Sequence, residues 1–325
     1  MDTGVDDIVN YVFRRIGNDN IVDLVALIKQ VTHKRRLVEF YKKKYHTPWA
    51  RGQFTGWLAY DKNSGRVVSV AAALPLYAVL QDGSQEPLTQ MTETFTLPEH
   101  QGRGLMTWMA KKIIEEHQQN GTRLFFGLFN QNNVHGFVKK LGFTQSGNME
   151  YFRLSIITFP FEAICRRCRI PGLYRWWAKK VLKPYIKTGN PELHNSAIQE
   201  GFGGVLHDHL FFSYKTFTFN RVCRFDGIDA WLKFESGLLV GDVILPAHLT
   251  DAQFDKWLAT LKKLARHTGL HQIIFQTHPL SRLGKNLAAR MKPSTSWYIC
   301  YLDSTPDRPS SMEKMRFCYG DFDTF

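Results

Sequence analysis

Between Leu88 and Ile157 the apolar positions change period several times. The stretch "LTQMTETFTL" (88–97) alternates and is rich in Thr and Phe, so it predicts a strand that Pro98 ends. Leu105, Met106, Met109, Ala110, Ile113 and Ile114 then recur at three-to-four spacing and predict a helix over 105–119. Lys111, Lys112, Glu115 and Glu116 occupy its other side, two Lys-to-Glu pairs four residues apart. After Gly121, "RLFFGLF" (123–129) predicts a buried strand and "NQNNVHGFVKKLGF" (130–143) a short helix ending at Gly142. "MEYFRLSII" (149–157) predicts a further strand.

The turn into the long helix is Gln101-Gly102-Arg103-Gly104. A helix start carries unpaired N–H groups and the positive end of the helix dipole. Glycines let an anion approach that backbone closely. They also suit an ordinary strand-to-helix loop. A dinucleotide fingerprint would need a third glycine where Thr107 stands, and a Walker loop would need Gly-Lys-Ser/Thr, so neither motif is present.

Composition narrows the class. The 325 residues fit two ordinary domains or one large one, and 44% hydrophobic against 22% charged residues is enough for a packed core. No apolar run approaches the ~20 residues of a transmembrane helix. The acidic start "MDTGVDD" argues against a secretory or mitochondrial leader. Five cysteines without framework spacing suggest a reducing compartment, so a cytoplasmic protein is expected. The formal net charge of +13 suits nucleic acid, an acidic membrane surface or a phosphorylated small molecule. No nucleic-acid-binding motif appears, and a nucleic-acid partner is not expected.

Strand, Gln-x-x-Gly-x-x, long helix, strand, Asn, short helix, Leu-Gly-Phe, strand: this order resembles the GNAT family of acyl-CoA N-acyltransferases. The likeness runs over residues 20–157, most strongly from Glu93 to Phe143, and "LFNQNNVHGFVKKLGF" looks like enzymes of polysaccharide and amino-sugar pathways. The resemblance implies acetyl-CoA or another acyl-CoA as co-substrate, and no metal. Its pyrophosphate would meet the backbone N–H groups of Gln101, Gly102, Arg103, Gly104, Leu105 and Met106, with Arg103 adding positive charge. The strand before the turn would splay from its neighbour, and its backbone at Phe95, Thr96 and Leu97 would orient the thioester. Asn130 or Asn133 would meet the CoA arm. Two positions depart from the family pattern: Met106 stands where Gly or Ala is usual, and Val138 where many members carry the Tyr that protonates the leaving thiolate.

The second half answers the first at a constant shift of 148 residues. Leu97-Pro98-x-His100 matches Leu245-Pro246-x-His248, Gly121 matches Gly269, "RLFFGLFN" faces "HQIIFQTH", and "NMEYFRLSI" faces "SWYICYL". Two βαβ units share periodicity in any case, but not a fixed shift with a shared Leu-Pro-x-His. The expected fold class is α/β, with two tandem GNAT-like halves, each a mixed, mostly antiparallel sheet flanked by helices. At the phosphate turn the copies differ. Gln101-Gly102-Arg103-Gly104 faces Leu249-Thr250-Asp251-Ala252, which reads as a plain helix start capped by Thr or Asp. The second copy is not expected to hold CoA.

The expected division is an acyl-CoA-binding domain (1–157), a basic helical connector (158–190) and a degenerate GNAT-like domain (191–325). Residues 159–187 carry Arg166, Arg167, Arg169, Arg175, Lys179, Lys180, Lys183 and Lys187 against Glu162 alone, with Leu173, Trp176, Trp177 and Val181 as an apolar side. Three roles fit: a solvated connector, peripheral contact with an anionic membrane surface, or capture of a phosphorylated acceptor. Cys165 and Cys168 lack a second ligand pair for zinc and read as structural.

For the chemistry, Glu93 is the first choice of base, against the alternative of a solvent-facing strand-edge carboxylate. His135 and Tyr151 lie close in sequence to that site. The tail "FCYGDFDTF" (317–325) is expected to pack as a strand and to line the acceptor cleft with Tyr319 or Asp321. The expected reaction is direct acyl transfer to the primary amine of a small molecule, an amino sugar in particular. A peptide or protein N-acetyltransferase and a non-catalytic CoA-binding or interaction module are the alternatives.

Overall fold

The computed structural model describes residues 6–33, 36–47, 52–186, 193–305 and 311–325; Lys187 lies outside them. The first half runs β1 (Tyr11–Arg15), α1 (Ile21–Thr32), α2 (Val38–Lys44), β2 (Gly56–Asp61), β3 (Val67–Val79), β4 (Gln85–Thr96), α3 (Leu105–Gln119), β5 (Leu124–Phe129), α4 (Gln131–Leu141) and β6 (Thr144–Ser155). Helices α5 (Phe161–Arg167) and α6 (Pro171–Leu182) follow. The second half runs α7 (His209–Tyr214), β7 (Asn220–Phe225), β8 (Ile228–Phe234), β9 (Leu238–Ile244), α8 (Asp251–His267), β10 (Gln272–Thr277), α9 (Arg282–Ala288) and β11 (Ser294–Asp303), with shorter pieces between. Helix α3 has the bounds that its apolar spacing predicts. Strands β4 and β6 begin earlier than their apolar patterns, because the polar stretches at their starts pair as backbone without an apolar signal.

The chain forms two compact units, Met1–Ala78 with Ser84–Gly147 and Trp297–Glu313, and Val79–Gly83 with Asn148–Ser296 and Lys314–Phe325. In the first unit the strand order is β1-β2-β3-β4-β5-β11. The pairs β1–β2, β2–β3 and β5–β11 are antiparallel and β4–β5 is parallel. In the second unit the order is β6-β10-β9-β8-β7, with β7–β8, β8–β9 and β10–β6 antiparallel and β9–β10 parallel. Each unit therefore repeats the same scheme of one parallel pair, bridged by a long helix, with an antiparallel strand beyond it.

That outer strand is exchanged between the halves. Phe152 of β6 pairs with Phe275 of β10, and Cys300 of β11 pairs with Gly127 of β5. Under the 148-residue shift Phe152 becomes position 300 and Gly127 becomes position 275, so the two ladders have one register. The bridging helices agree. Met109, Ala110, Ile113 and His117 are buried on α3, and Trp257, Leu258, Leu261 and Ala265, each 148 positions later, are buried on α8. These stripes bury because both helices cross a sheet face that water does not reach.

The tail packs in the second unit, but as a 3-10 turn over Tyr319–Asp321 rather than as a strand. Strand pairing is limited to a single bridge between Thr277 and Cys318. Asp321 is 1% exposed, and its carboxylate accepts from the Cys318 N–H (2.8 Å) and lies 2.8 Å from His207 Nε2. Lys215 donates to the Phe322 carbonyl at 2.6 Å, and burial pushes its pKa down to about 7 against the pull of Asp323 and Asp321. Phe325 packs on Trp231 with ring centroids 4.7 Å apart and covers Gly241, where an added Cβ would fall 2.5 Å from the ring. His207, Cys318 and Asp321 bring their polar atoms within 4.8 Å of one another. Burial holds the Cys318 thiol well above its ordinary pKa, and the hydrogen bonds of Asp321 to Cys318 N–H and His207 anchor the tail.

Two outcomes follow. Removing residues 318–325 strips out Phe322 and Phe325, each worth about 1.5–3 kcal/mol when buried. The truncated chain should melt several degrees below the parent in a calorimetric scan; coincident melting curves would refute the anchoring role. Second, burial pushes the His117 pKa from 6.5 down to about 4, with its Nδ1 2.7 Å from Thr89 Oγ1. Between those values the unfolded chain binds the proton first, so stability falls with falling pH by about 1.4 kcal/mol per unit. His117→Gln should lessen that slope in urea denaturation between pH 7 and 4.5, leaving the like share of His278, also pushed down to about 4 by burial; parallel slopes would count against it.

Candidate functional site

Strand β4 ends at Thr96, Pro98–His100 form a single 3-10 turn, and α3 starts at Leu105. Gln101 holds this corner by donating from Nε2 to the Thr96 carbonyl at 3.1 Å. Gly102 and Gly104 take φ of 80° and 76°, the left-handed region that residues with a Cβ avoid. The first backbone bond of α3 runs from Trp108 N–H to the Gly104 carbonyl (2.9 Å). The N–H groups of Leu105, Met106 and Thr107 therefore have no helical partner, and no side chain among the described residues caps them. Arg103 is turned back, donating to Tyr11 Oη and to the Glu99 carbonyl, both at 3.1 Å.

Beside this turn the sheet opens. The parallel ladder of β4 and β5 runs from Leu88↔Leu124 to Met91↔Gly127 and stops, while β4 continues to Thr96 and β5 to Phe129. The resemblance implied this splay. The carbonyl that faces the opening is that of Thr94, which accepts from Asn133 Nδ2 on α4 at 3.3 Å. The Phe95 carbonyl accepts instead from Ser69 Oγ of β3 at 3.0 Å. Of the residues that the sequence pattern named, Phe95 and Leu97 turn to β3, while Thr96 shares the side of Thr94, which the pattern did not name. Strand parity held the signal, since N–H and C=O of one residue share a side and alternate along the strand.

The corresponding turn of the second unit is closed. Thr250 caps α8 in a reciprocal box with Gln253, Gln253 N–H to Thr250 Oγ1 at 3.2 Å and Thr250 N–H to Gln253 Oε1 at 2.8 Å. Asp251 adds a carboxylate there, engaged by Arg290 at 2.8 Å. The parallel ladder of β9 and β10 also stops early, at Val240↔Phe275, but the tail meets both strands beyond that point, Phe325 at Gly241 and Cys318 at Thr277.

Residues 12–144 match the family profile described as the acetyltransferase (GNAT) domain. That match covers about two fifths of the chain. No curated protein sequence matches it. Among solved structures it is similar to a GCN5-related N-acetyltransferase from Kribbella flavida, at 11% identity and a TM-score of 0.54, over 91% of this chain and 73% of that one. A GCN5-related N-acetyltransferase from Anabaena variabilis is similar at 11% identity and a TM-score of 0.52, with the same coverage of 91% and 73%. Saccharomyces cerevisiae N-myristoyltransferase, solved with bound myristoyl-CoA, is similar at 10% identity and a TM-score of 0.57, over 90% of this chain and 83% of that one. At such identities the likeness is one of fold, and it extends over both halves, each of them GNAT-like.

The remaining candidates fall as follows. Glu93, on the splayed part of β4, is 8% exposed, and its two oxygens are taken by Lys44 Nζ and the Tyr45 hydroxyl. Lys44 is fully buried at the end of α2. Tyr45 Oη lies 3.5 Å from Thr92 Oγ1, which is half-buried. Asn130 caps α4 through its Oδ1, accepting from Asn132 and Asn133 N–H at 3.0 and 3.1 Å. Met106 is half-buried with its methyl against Gly136, where a Cβ would meet it at 2.6 Å. Val138 is half-buried and His135 exposed. Tyr319 and Asp321 belong to the second unit. A cavity of about 480 Å³ lies at the other end of α3, lined by Glu116, Gln119, Asn120 and Thr122 with Arg15 and Tyr77. A fifteen-residue helix spans about 22 Å, so this cavity is remote from the glycine turn.

The Lys44–Glu93 pair gives a clear expectation. Glu93→Ala removes the carboxylate from a buried ammonium and should cost about 3–5 kcal/mol, whereas the joint Lys44→Met, Glu93→Leu replacement should cost less. Urea denaturation compares the two; a double variant at least as unstable as the single one contradicts this.

Proposed function

We propose that the protein is an N-acyltransferase that moves an acetyl or other acyl group from acyl-CoA to the primary amine of a small molecule, in the amino-sugar class. One contrast carries the reading: the uncapped start of α3 behind two left-handed glycines, against the capped and carboxylate-bearing start of α8. A diphosphate suits the first, where N–H groups and the helix dipole act together. The arm of CoA then runs along the open edge of β4, taking over the Thr94 carbonyl from Asn133 and placing the thioester at the splay. Phe95, Thr96 and Leu97 shape the wall of that channel, and Asn130 keeps α4 in place beside it.

The chemistry is a direct transfer. The neutral amine attacks the thioester carbonyl, a C–N bond forms, the C–S bond breaks, and the amine proton ends on the thiolate. A thiol of ordinary pKa near 8.5 leaves readily, so with Val138 in place of a tyrosine a water suffices to return the proton. Glu93 remains the base we favour, with Tyr45 and Thr92 as the route from its buried carboxylate toward the opening. The surplus of positive charge favours an acceptor carried on a nucleotide diphosphate. Val138 is also the observation that favours the second reading, a CoA-binding module without turnover.

Gly104→Glu places a side chain at a left-handed position and a carboxylate against the phosphates; it should lower CoA affinity at least tenfold, while Asp251→Ala should leave it unchanged. Thermal shifts with acetyl-CoA measure this, and thiol release in the presence of amino sugars measures turnover. Equal effects of the two substitutions would defeat the assignment of the site. CoA binding with no thiol release for any amine would decide for the module.

A further inference from the structure

The basic stretch between the halves is unusual in what it leaves outside. Of the fourteen large hydrophobic side chains most exposed among the described residues, six lie within twenty positions: Ile157 (93%), Phe159 (69%), Ile164, Ile170, Leu173 and Trp176 (59%). The inward side of the same segment is anchored. Tyr174, Ala178 and Leu182 of α6 and Cys165 of α5 are buried in the core of the second unit. Thr158 donates to the Arg266 carbonyl at 2.7 Å, and Trp177 Nε1 donates to the His267 carbonyl at 2.9 Å, at the end of α8. Phe161 packs against Tyr174 and Trp177. The outward apolar groups are thus held on a fixed support.

The charge around them has one sign. Residues 159–186 hold seven Arg and Lys and a single acid, Glu162, which is buried and paired with Arg166 at 3.1 Å. Arg167, Arg169, Arg175, Lys179 and Lys180 are all exposed. On α6, Leu173, Trp176 and Lys180 follow at helical spacing, and the Lys180 ammonium lies 5.6 Å from the Trp176 ring centroid. At the adjoining end of α8, Arg266 and His267 are exposed as well. An indole and branched aliphatic groups interspersed along the chain with exposed Arg and Lys match the boundary between headgroups and acyl chains, with cations at the phosphates and apolar tips below. A nucleic acid would use the charge and the indole but leave Ile157, Ile164, Ile170 and Leu173 in water. No helix among the described residues is long and apolar enough to cross a membrane, so the contact lies in the surface plane.

We infer that α5, α6 and the residues leading into them form a docking face for a bilayer surface rich in anionic lipid. The test uses the full chain with vesicles of phosphatidylcholine alone or with about one third phosphatidylserine, followed by sedimentation. The protein should sediment with the anionic vesicles, weakly with the neutral ones, and less as salt rises. Arg167→Glu with Lys179→Glu should lower the partition coefficient by more than tenfold, since each charge near such a surface is worth roughly fivefold. Leu173→Ser with Trp176→Ser should also lower it, at least fivefold, and abolish the vesicle-induced blue shift of Trp emission. Both pairs face outward, so circular dichroism and melting should match the parent. No sedimentation with anionic vesicles overturns the inference. So does full binding by the Leu173/Trp176 variant, or a single-stranded RNA that binds more tightly than the vesicles and is equally sensitive to the arginine and lysine changes.

Discussion

A parallel pair of strands that separates partway along its length leaves backbone N–H and C=O groups facing a gap, and buried groups of that kind must find partners. Both halves of this chain contain such a pair, and they meet the demand in different ways. In the first, Asn133 reaches from α4 to the Thr94 carbonyl, a single side-chain contact. In the second, the chain's own tail meets both strands past the point of separation, with Phe325 on Gly241 and Cys318 bridging to Thr277. One opening is bridged by a side chain and the other becomes core.

The helix starts follow the same division. At α3 two glycines and the absence of a cap leave donors pointing outward, an arrangement with little to recommend it for stability alone, since a cap is worth about 1 kcal/mol. At α8 the Thr250–Gln253 box restores that stability and removes the donors. The lack of both glycines, the cap and the filled gap are three separate features of the second half, and the first two act against an anion at that helix start.

Much of this was legible in the residues. The period of Leu105 to Ile114 fixes α3, the Gly102/Gly104 pair marks its special start, and Thr250-Asp251 announces the ordinary one. What the local pattern does not hold is partner choice across long separations. Lys44 meets Glu93 forty-nine positions away, and nothing near either residue announces the pairing. The tail was readable as packed, from its four aromatics, but not as a 3-10 turn, because its buried contacts come from Lys215, His207 and Trp231 rather than from a ladder. Thr94 was readable by parity alone. The exchange of outer strands was hidden for the same reason: β11 meets β5 across more than 160 positions, and no local pattern states that choice.

That exchange sets what the chain can be divided into. Each unit draws its outer strand from the other half of the sequence, β11 completing the first sheet and β6 lying in the second. The ladders Phe152↔Phe275 and Cys300↔Gly127 hold one register under the 148-residue shift. A cut in the stretch between the halves would therefore leave a first piece without β11 and a second piece without β6, and neither piece would hold a complete sheet.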